Sequence, residues 1–137
     1  MKYFLIGISF SFVFFSSCGF LDLKKAEDIS ILALNSIKNN DWDTIWKHAS
    51  VVYRKKIPKK KFDVLKNWTT NEFGKMKSYK KLLLYSGSDP KVTGQNYVTV
   101  TYEINCTKGY GEIEIIIINE KGEYKIYRMD ISKKPSM

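Results

Sequence analysis

Proton transfer needs a titratable side chain with a partner, and the chain offers few. His48 is the single histidine, and Glu103, Glu112, Glu114 and Asp130 are the carboxylates that fall in strand-like segments. Of the two cysteines, Cys18 and Cys106, the second could carry a reactive thiol. The largest charged group is basic. Residues 54–81 hold eleven lysines and arginines against Asp63 and Glu72, and Arg54, Lys55, Lys56, Lys59, Lys60 and Lys61 form its densest part. Such a cluster attracts polyanions and is sensitive to salt. Each feature has a plainer reading. His48 suits the C-terminal end of a short helix, where the dipole favours a cation. Glu103 shares strand parity with Thr99 and Thr101 on what reads as a solvent face. Glu112 and Glu114 are expected to pair across strands with Lys125 or Arg128. Cys106 shares parity with Val98, Val100, Tyr102 and Ile104, as a small buried hydrophobe would. The basic run fits a solvated lysine-rich face, since lysine outnumbers arginine 21 to 2. One histidine and two cysteines do not make a metal site or a disulfide scaffold, so neither metal nor cofactor is expected.

At 137 residues the chain has the length of one small domain. Its 44% hydrophobic and 27% charged residues exclude disordered and collagen-like classes. The N-terminus is a separate segment. One charge at Lys2 precedes an apolar run over residues 4–15, then Ser16-Ser17-Cys18-Gly19. A charged start, a short apolar stretch and small residues describe an export signal. The run falls short of the roughly 20 apolar residues of a membrane span. A core helix would not carry Tyr3, Phe4, Phe10, Phe12, Phe14 and Phe15 all round its surface.

Phe15-Ser16-Ser17-Cys18 resembles the bacterial lipobox, with Phe15 in place of the usual leucine. The resemblance implies cleavage after residue 17 and a diacylglycerol thioether on Cys18, with palmitate-type chains inserted in a membrane. Plain secretion and an uncleaved anchor are the alternatives. Two acyl chains give stable anchoring where one is marginal. No Asp follows Cys18, which favours the outer membrane of a two-membrane cell envelope over the inner. Export also removes nucleic acid as a partner. It leaves the membrane itself, an anionic envelope component or a protein.

Periodicity predicts three helices and then strands. Ile29, Ala33 and Ile37 space a helix over residues 28–39, and Asn39-Asn40-Asp41 ends it and can cap the next. Trp42, Ile45, Trp46 and Ala49 form one face of a short second helix. Residues 51–57 read as irregular. A third helix starts at Pro58, turns Phe62, Leu65, Trp68 and Thr69 inward, and ends at Gly74. Strands are expected over 79–86, 97–106, 112–119 and 124–131, with turns at Gly87-Ser88-Asp89-Pro90, 107–111 and Glu120-Lys121-Gly122-Glu123. In the last strand Tyr124, Ile126 and Arg128 oppose Lys125, Tyr127, Met129 and Ile131. The run at 113–118 is too apolar for a bare edge and should be central or covered. The three tryptophans read as core, with a ligand pocket as the alternative. The expected organisation is a signal peptide over 1–17, a lipidated tether over 18–25, an α+β domain over 26–132 and a polar tail over 133–137, with helices on one face of a four-stranded antiparallel sheet.

The segments "NNDWDTIWKHAS", "IPKKKFDVLKNW" and "GYGEIEIIIINEKGEYKIYRMDI" resemble the nuclear-transport-factor-2-like superfamily, and within it small bacterial lipoproteins and exported domains. The resemblance covers most of residues 26–132. It implies a cone, a curved sheet wrapped on helices, whose interior serves isomerases and dehydratases as well as non-catalytic binding and scaffold domains. Fold alone does not choose among these. With no catalytic cluster apparent, the expected function is a non-enzymatic, lipid-anchored binding or scaffold domain. The rivals are an isomerase- or dehydratase-like enzyme and an envelope-docking module built on residues 54–81.

Overall fold

The computed structural model of the chain describes residues 21–88 and 95–135. The expected signal peptide, Cys18 and the Asp89-Pro90 half of the first turn lie outside the described residues. Among the described residues four helices precede four strands, where three helices were expected: α1 (Leu23–Lys38), α2 (Trp42–Lys47), α3 (Val51–Lys56), α4 (Lys59–Phe73), β1 (Met76–Ser88), β2 (Asn96–Cys106), β3 (Gly109–Glu120) and β4 (Glu123–Lys134). The sheet is an open antiparallel meander in chain order, so β1 and β4 are its edges. The apolar run at 113–118 is central, in β3, as its composition requires.

α1 begins five residues before the expected position. Asp22 caps it by accepting from the amides of Lys24 at 3.0 Å and Lys25 at 3.2 Å. Ala26 then joins Ser30, Ala33 and Leu34 on a continuous buried stripe. Residues 23–25, expected in a tether, lie in this helix, and Leu21 already packs against the core. α3 replaces the expected irregular stretch. Ser50 accepts from the Tyr53 amide at 3.1 Å, and Tyr53 is the helix's one buried residue, too little to create a period. On α4, Phe62, Thr69 and Phe73 are buried, while Trp68 is exposed, against expectation, with its ring edge-on to Phe73. Gly74 ends α4 with φ of 72°. The helix turns there because this conformation is open to glycine.

The core lies between the helices and one sheet face. Val98, Val100, Tyr102 and Ile104 of β2, Ile113, Ile115 and Ile117 of β3, and Ile126 and Met129 of β4 belong to it. Cys106 is buried among them as a free thiol, and burial pushes its pKa up. The opposite face is not the simple solvent face expected from Thr99 and Thr101. Both are buried, together with Ile116 and Ile118. Thr99 is flanked by Tyr85 and Ile116 and Thr101 by Leu83 and Glu114, larger neighbours that shield the central strand. The last strand also departs from its expected parity. Ile117 pairs with Ile126 but Ile116 pairs with Arg128, so Tyr127 is the extra residue of a bulge. Met129 thereby returns to the core side with Ile126, and Arg128 faces away from it. The strand continues through Lys133 and Lys134, which were expected in the tail. The β3–β4 turn is as expected, with Lys121 and Gly122 both at positive φ, as a two-residue hairpin loop requires.

One buried hydrogen-bond chain fixes α1 on the sheet. The Ser30 hydroxyl donates to the Glu27 carbonyl at 2.7 Å, so the Tyr102 hydroxyl, 2.6 Å away, must be the donor of the second bond. Ser30→Ala would strand a buried phenol and is expected to cost about 2 kcal/mol, against about 1 kcal/mol for Tyr102→Phe. Chemical denaturation of both variants and the double variant checks this. Coupling should make the double loss smaller than the sum, and strict additivity would contradict the chain of bonds.

Candidate functional site

α3 reaches its position through the segment between it and α2. The Ser50 amide donates to the Ile126 carbonyl at 2.8 Å, and the Ile126 amide donates to the His48 carbonyl at 2.7 Å. This short parallel bridge covers the β4 edge at Ile126. Beyond it the bulge at Tyr127 turns the strand away. Between α3, the start of α4 and the remaining β4 edge lies a groove of about 630 Å³. Tyr53, Lys56, Lys61 and Leu65 line the helix side, and Tyr127, Arg128, Asp130 and Ile131 the strand side.

Tyr53 is the unusual group. Only 4% of it is exposed, and its hydroxyl has no hydrogen-bond partner. Buried polar atoms are nearly always paired, so an orphan hydroxyl against a groove calls for an explanation. Burial, reinforced by the negative charge of Asp130, pushes its pKa up to about 12. It therefore stays a neutral donor over the physiological range. The Lys56 ammonium lies 5.6 Å from the Tyr127 ring centre. Arg128 Nε pairs with Asp130 Oδ2 at 2.8 Å. Lys61 makes no ion pair among the described residues. Lys56 and Lys61, with the Arg128–Asp130 pair, thus line the same groove as Tyr53, whose buried hydroxyl is a donor, and such cations suit an oxyanion.

The six cations singled out in the sequence do not act together. Arg54 is structural: its Nη2 donates to the Trp46 carbonyl at 2.7 Å and to that of Lys47 at 3.1 Å, and its guanidinium lies over the Trp46 ring. Lys59 is structural as well, 3.0 Å from Asp43 and 3.4 Å from Asp63. Its hydrogen bond holds the Asp43 carboxyl below its ordinary pKa. Lys55 and Lys60 are exposed and make no ion pair among the described residues. Lys56 and Lys61 face the groove.

The candidate acid–base groups are scattered. His48 caps α2, as expected, and its Nδ1 donates to the Thr44 carbonyl at 2.9 Å. Glu112 pairs with Lys134 at 2.8 Å, and Lys125 with Glu123 at 3.2 Å, so the expected pairing of Glu112 and Glu114 with Lys125 or Arg128 does not form. Glu103 lies opposite Glu112 across the β2–β3 ladder, beside a second hollow that holds neither His48 nor Asp130. Glu114 is exposed and stands opposite Asp130. Among the described residues no three His, Cys, Asp or Glu side chains gather to hold a metal. Of the tryptophans, Trp42 is in the core and Trp46 packs half-buried on Phe62 at 5.3 Å.

Tyr53, Leu65 and Arg128 carry the groove, and sequence reading missed them as site residues. Arg128 left a signal: a chain with 21 lysines uses arginine only twice, at Arg54 for a forked contact to helix-end carbonyls and at Arg128 for the pair with Asp130. No protein-family model matches the chain, and no curated protein matches it.

Because the Tyr53 hydroxyl is buried without a partner, Tyr53→Phe is expected to leave stability unchanged or raise it by up to about 1 kcal/mol. A loss of more than 1 kcal/mol in urea denaturation would mean that the hydroxyl has a partner. Its raised pKa has a second consequence. The folded state holds the Tyr53 proton more tightly than the unfolded state, so this contribution is complete below pH 10 and is lost as pH rises through about 12. Alkaline unfolding of the Tyr53→Phe variant should begin at higher pH than that of the parent. Identical alkaline limbs would contradict the shift.

Proposed function

We propose that this chain is a bacterial cell-envelope lipoprotein, anchored by acyl chains on Cys18, whose domain binds an anionic ligand without catalysing a reaction. The observation that carries the binding role is the unpartnered, buried Tyr53 hydroxyl beside Lys56 and Lys61. A group that costs stability and sits against a groove is best explained by a ligand that completes it. Acid–base catalysis would need a titratable group free to move a proton. Asp130 in the groove is paired with Arg128, and His48 is turned to Thr44. That arrangement favours binding over the isomerase or dehydratase reading.

The fold order supports the likeness to the nuclear-transport-factor-2-like cone, with helices first and a four-stranded antiparallel meander after them. The anchor has a geometric consequence. Only Gly19 and Phe20 separate Cys18 from Leu21, which packs on the core. Three peptide units reach at most about 10 Å, so the lipoprotein would hold its domain against the membrane surface. In an envelope of two membranes, the absence of Asp after Cys18 favours the outer over the inner. A second reading, docking onto anionic headgroups, is favoured by Lys55 and Lys60, which are exposed and make no ion pair among the described residues.

Intact-mass analysis of the product of the full-length gene in a bacterial host tests the anchor. The parent should lose residues 1–17 and gain acyl mass, and Cys18→Ala should do neither. A parent that keeps residues 1–17, or that gains no acyl mass, would refute lipidation.

A further inference from the structure

We propose that the ligand of the groove is an anionic amphiphile, an oxyanion head on a single aliphatic tail. This deepens the binding role proposed above and rests on it. The head is identified by charge and donors. Lys56, Lys61 and Arg128 line the groove against one carboxylate, Asp130, which leaves two positive charges without a counter-charge there. The Tyr53 hydroxyl is a donor with no acceptor. Ammonium groups with a neutral donor bind phosphate or carboxylate oxygens, and a cation ligand would face net repulsion.

The tail is identified by what else lines the space. Ile57 and Leu65 on the helix side and Ile131 on the strand side are only partly buried, although they pack on the core, and Met129 lies beneath them. Apolar side chains exposed at a groove that also holds cations favour a ligand with both characters over a free inorganic ion. The groove's volume of about 630 Å³ exceeds what a phosphate alone fills and lies within the usual range for organic ligands. Arg128 and Asp130 pair at the exposed rim, so an incoming oxyanion can take over the guanidinium without opening the core.

The other hollows carry less. The hollow beside Glu103 and Glu112 is lined by both carboxylates and Lys134 and holds no buried orphan group. The second sheet face has an orphan hydroxyl, Thr99, but the cation on that face, Arg128, is paired with Asp130, and nothing identifies a partner.

The test is isothermal titration of the full chain, in nanodiscs of phosphatidylcholine, against empty nanodiscs. The probes are hexyl phosphate, inorganic phosphate and hexyl glucoside. Hexyl phosphate should bind at least tenfold more tightly than inorganic phosphate, and hexyl glucoside should give no heat above the blank. Tyr53→Phe and Lys61→Glu should each weaken hexyl phosphate at least fivefold. Lys60→Glu, which changes the same charge on the same helix outside the groove, should leave it within twofold. If inorganic phosphate binds as tightly as hexyl phosphate, the groove is an anion site but the amphiphile is wrong. If hexyl glucoside binds as well as hexyl phosphate, the head is not read and the inference falls. An equal loss in Lys60→Glu would mean a diffuse field and not a site. No heat from any probe would overturn both the inference and the binding role beneath it.

Discussion

The amide and the carbonyl of Ile126 both bond to the turn between α2 and α3, and the candidate site is built outward from that pair of bonds. β4 is an edge strand, and an uncovered edge is open to pairing with other chains. The His48–Ser50 segment covers it at one point. Ser50 serves twice, because its amide joins the bridge and its side chain caps α3. The cap sets the direction of α3, and that direction seats Tyr53 edge-on against Phe62, 6.4 Å between ring centres. Phe62 also receives Trp42 and Trp46, so one fully buried ring ties α2, α3 and α4 together. The groove is the space left where this aromatic unit meets β4 beyond the covered residue.

Within that frame the polar groups divide sharply. Ser36 and Thr69 return their hydroxyls to the carbonyls of Leu32 and Leu65, and Tyr102 and Ser30 satisfy each other. Tyr53 and Thr99 are the orphans among the described residues. An unsatisfied buried hydroxyl costs about 1–3 kcal/mol, a large share of the stability of a small domain. Thr99 sits between Tyr85 and Ile116, and the cation on that face, Arg128 opposite Ile116, is already paired with Asp130. Tyr53 lines a groove with Lys56 and Lys61, which make no ion pair among the described residues. The same chemical defect therefore has a different meaning at the two places.

Much of the sheet was legible in the sequence because its signals are local. Alternation through β2, the isoleucine run of β3 and the Lys121–Gly122 turn each depend on neighbouring residues. What was not legible depends on contacts between elements. α3 has six residues and one buried side chain, so no periodicity announces it. The bulge at Tyr127 inverts the parity of the rest of β4, and only the β3 register reveals it. The basic run read as one feature, yet Arg54 bonds to helix-end carbonyls and Lys59 bonds to Asp43, and only the fold separates these from Lys56 and Lys61. The site was hidden because it is made of residues from α3, α4 and β4, the strand far from the helices in sequence, and none of the three carries a motif.

The most direct measurement is a titration followed by NMR of the full chain labelled at tyrosine Cζ. The Tyr53 resonance, assigned by its loss in Tyr53→Phe, is sensitive to what its hydroxyl bonds. As hexyl phosphate is added, this resonance should shift saturably while that of Tyr85, exposed on β1 and far in sequence from the groove residues, stays fixed. A Tyr53 resonance that does not move while calorimetric binding saturates would place the ligand elsewhere and contradict the account.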